Sequence, residues 1–432
     1  MSRSGSARAA RRAAAAAGAA ASATVASVAS AVDSLTGAAT GADGGADGGA
    51  PGTERTRDRE PAQATETTSA PGSTEPTGST GPAEPTEPTE PTEPLEHAEP
   101  LEHAEPLEHA EHPATTGYGT PATDACSVQW DRDGTSAYGT AATARFFVIV
   151  EQPGPWGRDA ARESHLDREL GAELDARTSR AGGRFMLVRR PGGHPAHDGP
   201  RHVLVAHAGA RPDDAWLLTA DVDDVGDLLG LDWAALARGS RALVQASLLG
   251  SVPGAPALLV CTNGRRDVCC AVRGRPLAAH AARVAPGQAW EVSHTGGHRF
   301  APTAVLLPWG QTFARLDDRA SEWVLAASET GHLPAELLGP LHDRGRSGVP
   351  AASQCAESHV RSEIGETRIA SLWADLPEEA DDGWQVIVTH EDGRRWRVHV
   401  TREPVGHTRP ESCGKKAIEV LEHRASILEA WF

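Results

Sequence analysis

Proline recurs at every third residue from Pro85 to Pro94, then at Pro100, Pro106 and Pro113, inside T-E-P and L-E-H-A-E-P repeats. Each proline removes a backbone donor and clashes with the turn before it, so no continuous helix runs through this stretch. Glutamate fills the intervals, and its self-repulsion favours an extended, solvated chain. Upstream, residues 1–56 are Arg/Ala/Ser-rich and then Gly/Ala/Asp-rich. Arg3, Arg8, Arg11 and Arg12 ahead of an alanine run imitate an export signal, but the run lacks a leucine-rich apolar centre. Residues 1–122 are therefore read as one disordered low-complexity tail. His97, His103, His109 and His112 lie among its glutamates and are read as solvated rather than as a metal-binding tract.

The fold must come from 123–432. The alternation there is strand–helix–strand, which means an α/β layer. Arg145–Gln152 is β-branched and aromatic and ends at Pro153-Gly154-Pro155, a buried strand. Leu166, Leu170 and Leu174 predict a helix over 166–181, stopped by Gly182-Gly183. Phe185–Arg189, His202–Ala206 and Ala215–Leu218 read as strands, and Leu228–Ala237 as a short helix. Arg184, Arg189, Arg190 and Arg201 make this half locally basic, in the manner of solvated strand ends. Further on, a helix is predicted over Leu277–Val284, opened by Pro276, then a strand at Ala304–Leu307. Ala320–Glu329 follows as a helix, with Trp323 and Leu325 as core candidates, and Gln354–Ile364 as another. Trp384–His390 and Arg394–Val400 flank Glu391-Asp392-Gly393, a hairpin signal. The expected divisions are 123–249, an N-terminal α/β half; 250–335, a central module; and 336–432, a helix and β-hairpin appendix.

The chemistry concentrates between Cys261 and Phe300, as C-T-N-G-R-R-D-V-C-C at 261–270 and W-E-V-S-H-T-G-G-H-R-F-A-P at 290–302. Cys261, Cys270, His294 and His298 supply thiolates and imidazoles in two tight clusters, a set suited to zinc or to an iron–sulfur centre. The apolar run Pro256–Val260 reads as a buried strand delivering Cys261, and Ala289–Ser293 as one delivering His294. Gly296-Gly297 permits a positive-φ bend that turns His298 back toward His294. Cys269 neighbours Cys270 and is the alternative ligand.

These strings resemble the sucrase/ferredoxin-like family. So do F-V-I-V-E-Q-P-G-P-W-G-R-D at 147–159, R-R-P-G-G-H at 189–194 and S-C-G-K-K at 412–416. The resemblance spans roughly 123–420. It implies a thioredoxin-like ferredoxin carrying a [2Fe–2S] cluster, with Cys261 and Cys270 as thiolate ligands and His294 and His298 as imidazole ligands. Asn263 departs from the family, which often has histidine there. Exchanging two anionic thiolates for neutral imidazoles raises the potential of such a centre. An imidazole whose second nitrogen stays exposed can also titrate, coupling electron uptake to proton uptake.

An electron-transfer role leads. A structural zinc site shares the same ligand types. Thiol–disulfide exchange is the third reading, although no C-x-x-C is present. No catalytic residue stands out: no motif marks the paired carboxylates of sugar hydrolysis, a nucleophile elbow or a nucleotide-binding glycine loop. The expected partner is a separate redox protein such as a reductase. Nucleic acid is not expected, since the net charge is −18, and no stretch is apolar enough to span a membrane. Six irregularly spaced cysteines fit metal-ligating thiols of a cytoplasmic protein better than a disulfide framework.

Overall fold

Ten strands form one sheet, and eight of them fall into two copies of the same short pattern. The computed structural model describes residues 121–192 and 199–432, all within the unit Glu105–Phe432. The tail assigned to 1–122, with its four histidines, lies almost wholly outside the described residues, as do Gly193 and His194. The first copy is β1 (Phe146–Glu151), β2 (Arg184–Arg189), β3 (Arg201–His207) and β4 (Trp216–Val222). The second follows β5 (Val252–Pro253): β6 (Ala257–Cys261), β7 (Ala289–Val292), β8 (Ala304–Leu307) and β9 (Gln311–Phe313). With β10 (Asp343–Arg346) the spatial order is β10-β9-β8-β6-β7-β2-β1-β3-β4-β5.

In the first copy β1 runs parallel to β2 and antiparallel to β3, and β3 is antiparallel to β4. In the second, β6 runs parallel to β7 and antiparallel to β8, and β8 is antiparallel to β9. Each parallel pair needs a crossover, and each has a helix there. The crossover of the first is α3 (Arg168–Arg180), which comes after α1 (Cys126–Arg132) and α2 (Ala160–Glu163). That of the second is α6 (Val268–Val284), after α4 (Trp233–Ala237) and α5 (Arg241–Ser247). This wiring is the thioredoxin-like arrangement, present twice. The copies meet where β2 pairs antiparallel with β7, Val188 opposite Val292 and Arg189 opposite Glu291.

Each copy buries its own helices against the sheet. Val148, Leu174, Leu187 and Leu218 belong to the first cluster, and Leu258, Leu277, Leu306 and Val324 to the second. A third cluster, with Phe147, Ile149, Leu259 and Trp290, crosses the junction. At about 25 cal/mol per Å² of apolar surface, such burial drives the fold. The mixed α/β class expected from the sequence is the class observed.

Several boundaries moved. Pro276 does not open its helix: α6 starts at Val268, after Asp267, whose carboxylate accepts the Cys269 N–H at 2.9 Å and caps the first turn. Proline sits inside because Leu277, Ala278 and Ala281 anchor the far end in the core. Trp323, on α7 (Asp318–Ser328), is only half-buried under Arg319, while Val324 and Leu325 take the core positions. The basic strand ends are not uniformly solvated. Arg189 is buried against Glu291 at 2.7 Å, whereas Arg190 is exposed.

After α8 (Ala351–Ile364) comes a second, antiparallel sheet of β11 (Leu372–Ala374), β12 (Glu378–Ala380), β13 (Gly383–His390), β14 (Arg395–Pro410) and β15 (Ala417–Trp431). The hairpin around Glu391-Asp392-Gly393 is present as β13–β14. The sequence reading missed β15, which pairs along most of β14. The turn between them carries Ser412 and Cys413.

Candidate metal centre

Strand β6 ends on Cys261, and β7 ends two residues short of His294. These strands are adjacent and parallel, with Cys261 opposite Val292, so both side chains emerge at the same edge. Helix α6 begins beside them. Gly274 lets it approach closely, since a Cβ there would run into the Cys261 carbonyl. Cys270 in its first turn therefore reaches Cys261.

Beyond His294 the chain reverses through Gly296 and Gly297, at φ +84° and +71°. A short 3₁₀ turn, His298–Phe300, brings the His298 ring to 5.7 Å from that of His294. Two arginines hold the reversal. Arg184 donates to the His294 and Thr295 carbonyls at 2.9 and 3.2 Å. Arg344, fully buried, donates to the Gly296 carbonyl at 3.0 Å and to Thr140. Burial pushes the Arg344 guanidinium down to about 9.

The four predicted residues are thus brought together. Cys270 and His294 are the neighbours that most lower the Cys261 thiol. Interaction between the two thiols pushes that of Cys261 well down and that of Cys270 well up. Burial lowers His298. The Nδ1 atoms of both His294 and His298 are buried without a hydrogen-bond partner. Buried polar atoms are normally paired, so two orphaned imidazole nitrogens in the neighbourhood of two thiols fit a group that takes ring nitrogen and sulfur. Asn263, the departure from the family pattern, spans to the other copy: its Nδ2 donates to the Gly157 carbonyl at 3.0 Å.

Residues 137–333 match the sucrase/ferredoxin-like family. The similarity to that family covers this part of the chain. No curated protein and no solved structure gives a match. The sucrase/ferredoxin-like region contains all four residues, while Cys126 and Cys413 lie outside it.

Cys269 is elsewhere. One position along a helix rotates a side chain by about 100°, and Cys269 faces away from the quartet toward Cys126 and Cys413. Among the described residues, the donors that all lie within 4.8 Å of one another are those of Cys126, Asp267, Cys269 and Cys413, not those of the quartet. Hydrogen bonding from Cys126 lowers the Cys269 thiol to about 6, and the same contact pushes Cys126 up. Burial raises Cys413 to about 11. The sequence reading named neither Cys413 nor Cys126 as a ligand. No local spacing joins them, because they stand 287 residues apart.

A cleft beside the quartet runs between the two copies. Arg158, Arg162, Arg184 and Arg266 line it, with Asp159 and Asp175, and His294 forms part of its wall. Among the described residues, no helix is long and apolar enough to cross a membrane.

Proposed function

We propose that Cys261, Cys270, His294 and His298 hold a [2Fe–2S] cluster and that the protein transfers single electrons. The observation that carries this reading is the pair of orphaned imidazole nitrogens in the same neighbourhood as the Cys261 and Cys270 thiols. The wider spread of the quartet supports a two-iron group over a single zinc, whose donors would stand about 3.3–3.8 Å apart at bond lengths of about 2.0–2.3 Å. A bound cluster supplies a one-electron couple.

The chain's own residues tune it. Two neutral imidazoles in place of thiolates move such a centre toward the Rieske range, roughly −150 to +300 mV, from about −400 mV. Arg184 and Arg344 sit close enough for their charge to act on the thiols, and positive charge favours the reduced form. His294 lies on the wall of the arginine-lined cleft, so an electron enters or leaves there. The partner is a separate redox protein with an acidic docking face, matched to that cleft.

The test is anaerobic purification of the full chain, with iron and acid-labile sulfide assays and visible spectra before and after dithionite. The reading requires about two irons and two sulfides per chain, with absorption that bleaches on reduction. Iron absent, and zinc that is lost on His294→Ala and His298→Ala, would overturn it in favour of a structural site. A potential that stays flat across neutral pH would remove proton coupling while leaving electron transfer intact.

A further inference from the structure

Three segments far apart in sequence bring sulfur to one point. Cys126 opens α1, Cys269 lies in the first turn of α6, and Cys413 sits in the turn between β14 and β15. Their Sγ atoms are 3.6 Å (Cys126–Cys269), 3.2 Å (Cys269–Cys413) and 3.6 Å (Cys413–Cys126) apart. The Asp267 carboxylate closes a fourth side, both oxygens 3.9 Å from the Cys126 sulfur. Cys126 and Cys269 are fully buried and Asp267 nearly so. The function proposed for the quartet uses none of the three thiols.

We propose that Cys126, Cys269, Cys413 and Asp267 form a second metal site that takes one zinc ion. An ion about 2.3 Å from all three sulfurs sits about 1.1 Å off their plane, so the triangle admits one without rearrangement. Around a tetrahedral zinc two sulfurs stand about 3.8 Å apart and a sulfur and an oxygen about 3.5 Å, and the spacings present lie within about 0.6 Å of these. Three thiolates and a carboxylate suit a borderline-soft divalent ion and exclude magnesium or calcium, which take oxygen. An iron–sulfur cluster does not fit, since its irons and bridging sulfides would force the thiolates farther apart. The contacts are also not disulfides, whose sulfurs lie at about 2.05 Å, and three thiols cannot pair off.

The carboxylate is already oriented. Its Oδ1 accepts the Cys269 N–H at 2.9 Å, and its Oδ2 accepts the Ser412 hydroxyl at 2.7 Å and the Cys413 N–H at 2.9 Å. Such bonds are what hold metal-ligating carboxylates in place. Ions reach the site through a pocket lined by Val268, Val272, Pro410, Cys413 and Gly414. Zinc there clips α1 and the β14–β15 turn onto the first turn of α6, which also carries Cys270. It is redox-inert, so it stiffens the neighbouring centre without competing for electrons.

The site is tested on the full chain, grown with both metals, purified anaerobically and dialysed against EDTA. The proposal expects about one zinc per chain in addition to any iron, and zinc X-ray absorption fitted by three sulfurs at about 2.3 Å and one oxygen. Cys126→Ser and Cys413→Ser should each weaken zinc retention at least about tenfold while iron stays. The absorption measurement uses unmodified protein, so it decides the matter even where a variant misfolds. Iron without zinc, a zinc sphere of two sulfurs and two nitrogens, or a Cys269–Cys413 disulfide in the unreduced chain would each overturn it. Zinc in this sphere without iron would leave the site standing and sink the cluster reading, so the two can fail separately.

Discussion

The two copies of the strand–helix–strand pattern share their wiring and differ at one edge. In the first, the last paired rung of the parallel strands is Glu151 opposite Val188; in the second it is Cys261 opposite Val292. Two residues past each rung stand Arg190 and His294. The first copy places a carboxylate beside a guanidinium, Glu151 and Arg190 at 3.6 Å. The second places a thiol beside an imidazole. The scaffold presents a pair of side chains in both places, and residue identity decides whether that pair is an ion pair or the thiol and imidazole proposed above as ligands. The following loops diverge too. Gln152–Pro155 leads to Trp156, which stacks over Arg189 at 4.1 Å, while Thr262–Gly264 leads to the cysteines of α6.

The largest effect should come from breaking that asymmetry. Cys261→Ser is expected to cut bound iron to under about a tenth, since a thiolate ligand is replaced by a poor one. His294→Arg, which copies the first repeat, should do the same. Glu151→Gln alters the matching position and should leave iron unchanged. Iron assays on the three purified variants check this, and equal losses in all three would dissolve the distinction between the copies.

Next in size is the bond between them. Arg189 and Glu291 face each other across the β2–β7 junction, both buried, and Thr262 also donates to the Glu291 carboxylate at 2.9 Å. Glu291→Gln leaves the Arg189 charge without its partner, and about 3–5 kcal/mol of stability should be lost. Urea unfolding of the metal-free chain measures it. A loss under about 1 kcal/mol would mean that the shared apolar layer, rather than this pair, holds the copies together.

Smaller again is Gly274→Ala. Its Cβ would push α6 away from the Cys261 carbonyl, and overpacking of this kind costs about 1–3 kcal/mol, partly offset by about 1 kcal/mol of helix propensity. Gly171 in α3 is as tightly placed, against the Ala161 carbonyl. Gly171→Ala should destabilise to a similar degree, but only Gly274→Ala should also loosen iron, because only it separates Cys270 from Cys261. Parallel melting and iron-retention curves distinguish a packing effect from one transmitted to the ligands.

What the sequence showed was local. The strand ending on Cys261, the double-glycine reversal and the convergence of His298 on His294 follow from short-range patterns, and all are present. The repeat escaped because it lies in strand directions and partners, and Glu151 has no chemical likeness to Cys261. The start of α6 escaped because Pro276 looks like a helix opener, while the operative signal was Asp267, an N-cap. The grouping of Cys126 and Cys413 needed the long β14–β15 hairpin, and β15, from Ala417 to Trp431, was not recognised. Alternation is weak there, since much of β15 is exposed on both faces.

The smallest effect belongs to Arg190. Its guanidinium lies 4.6 Å from the centre of the Trp290 ring, so it reaches from the first copy onto the second, and it also faces Glu151. Its side chain is 59% exposed. A solvated cation–π contact contributes about 0.5–1 kcal/mol, and an exposed ion pair about as much or less. Arg190→Ala should therefore lower stability by no more than about 1 kcal/mol and leave iron untouched, whereas His294→Ala, at the matching position, should lose the iron. If Arg190→Ala also released iron, the first copy would be supporting the centre directly, and the division into a scaffold repeat and a ligand-bearing repeat would have to be abandoned.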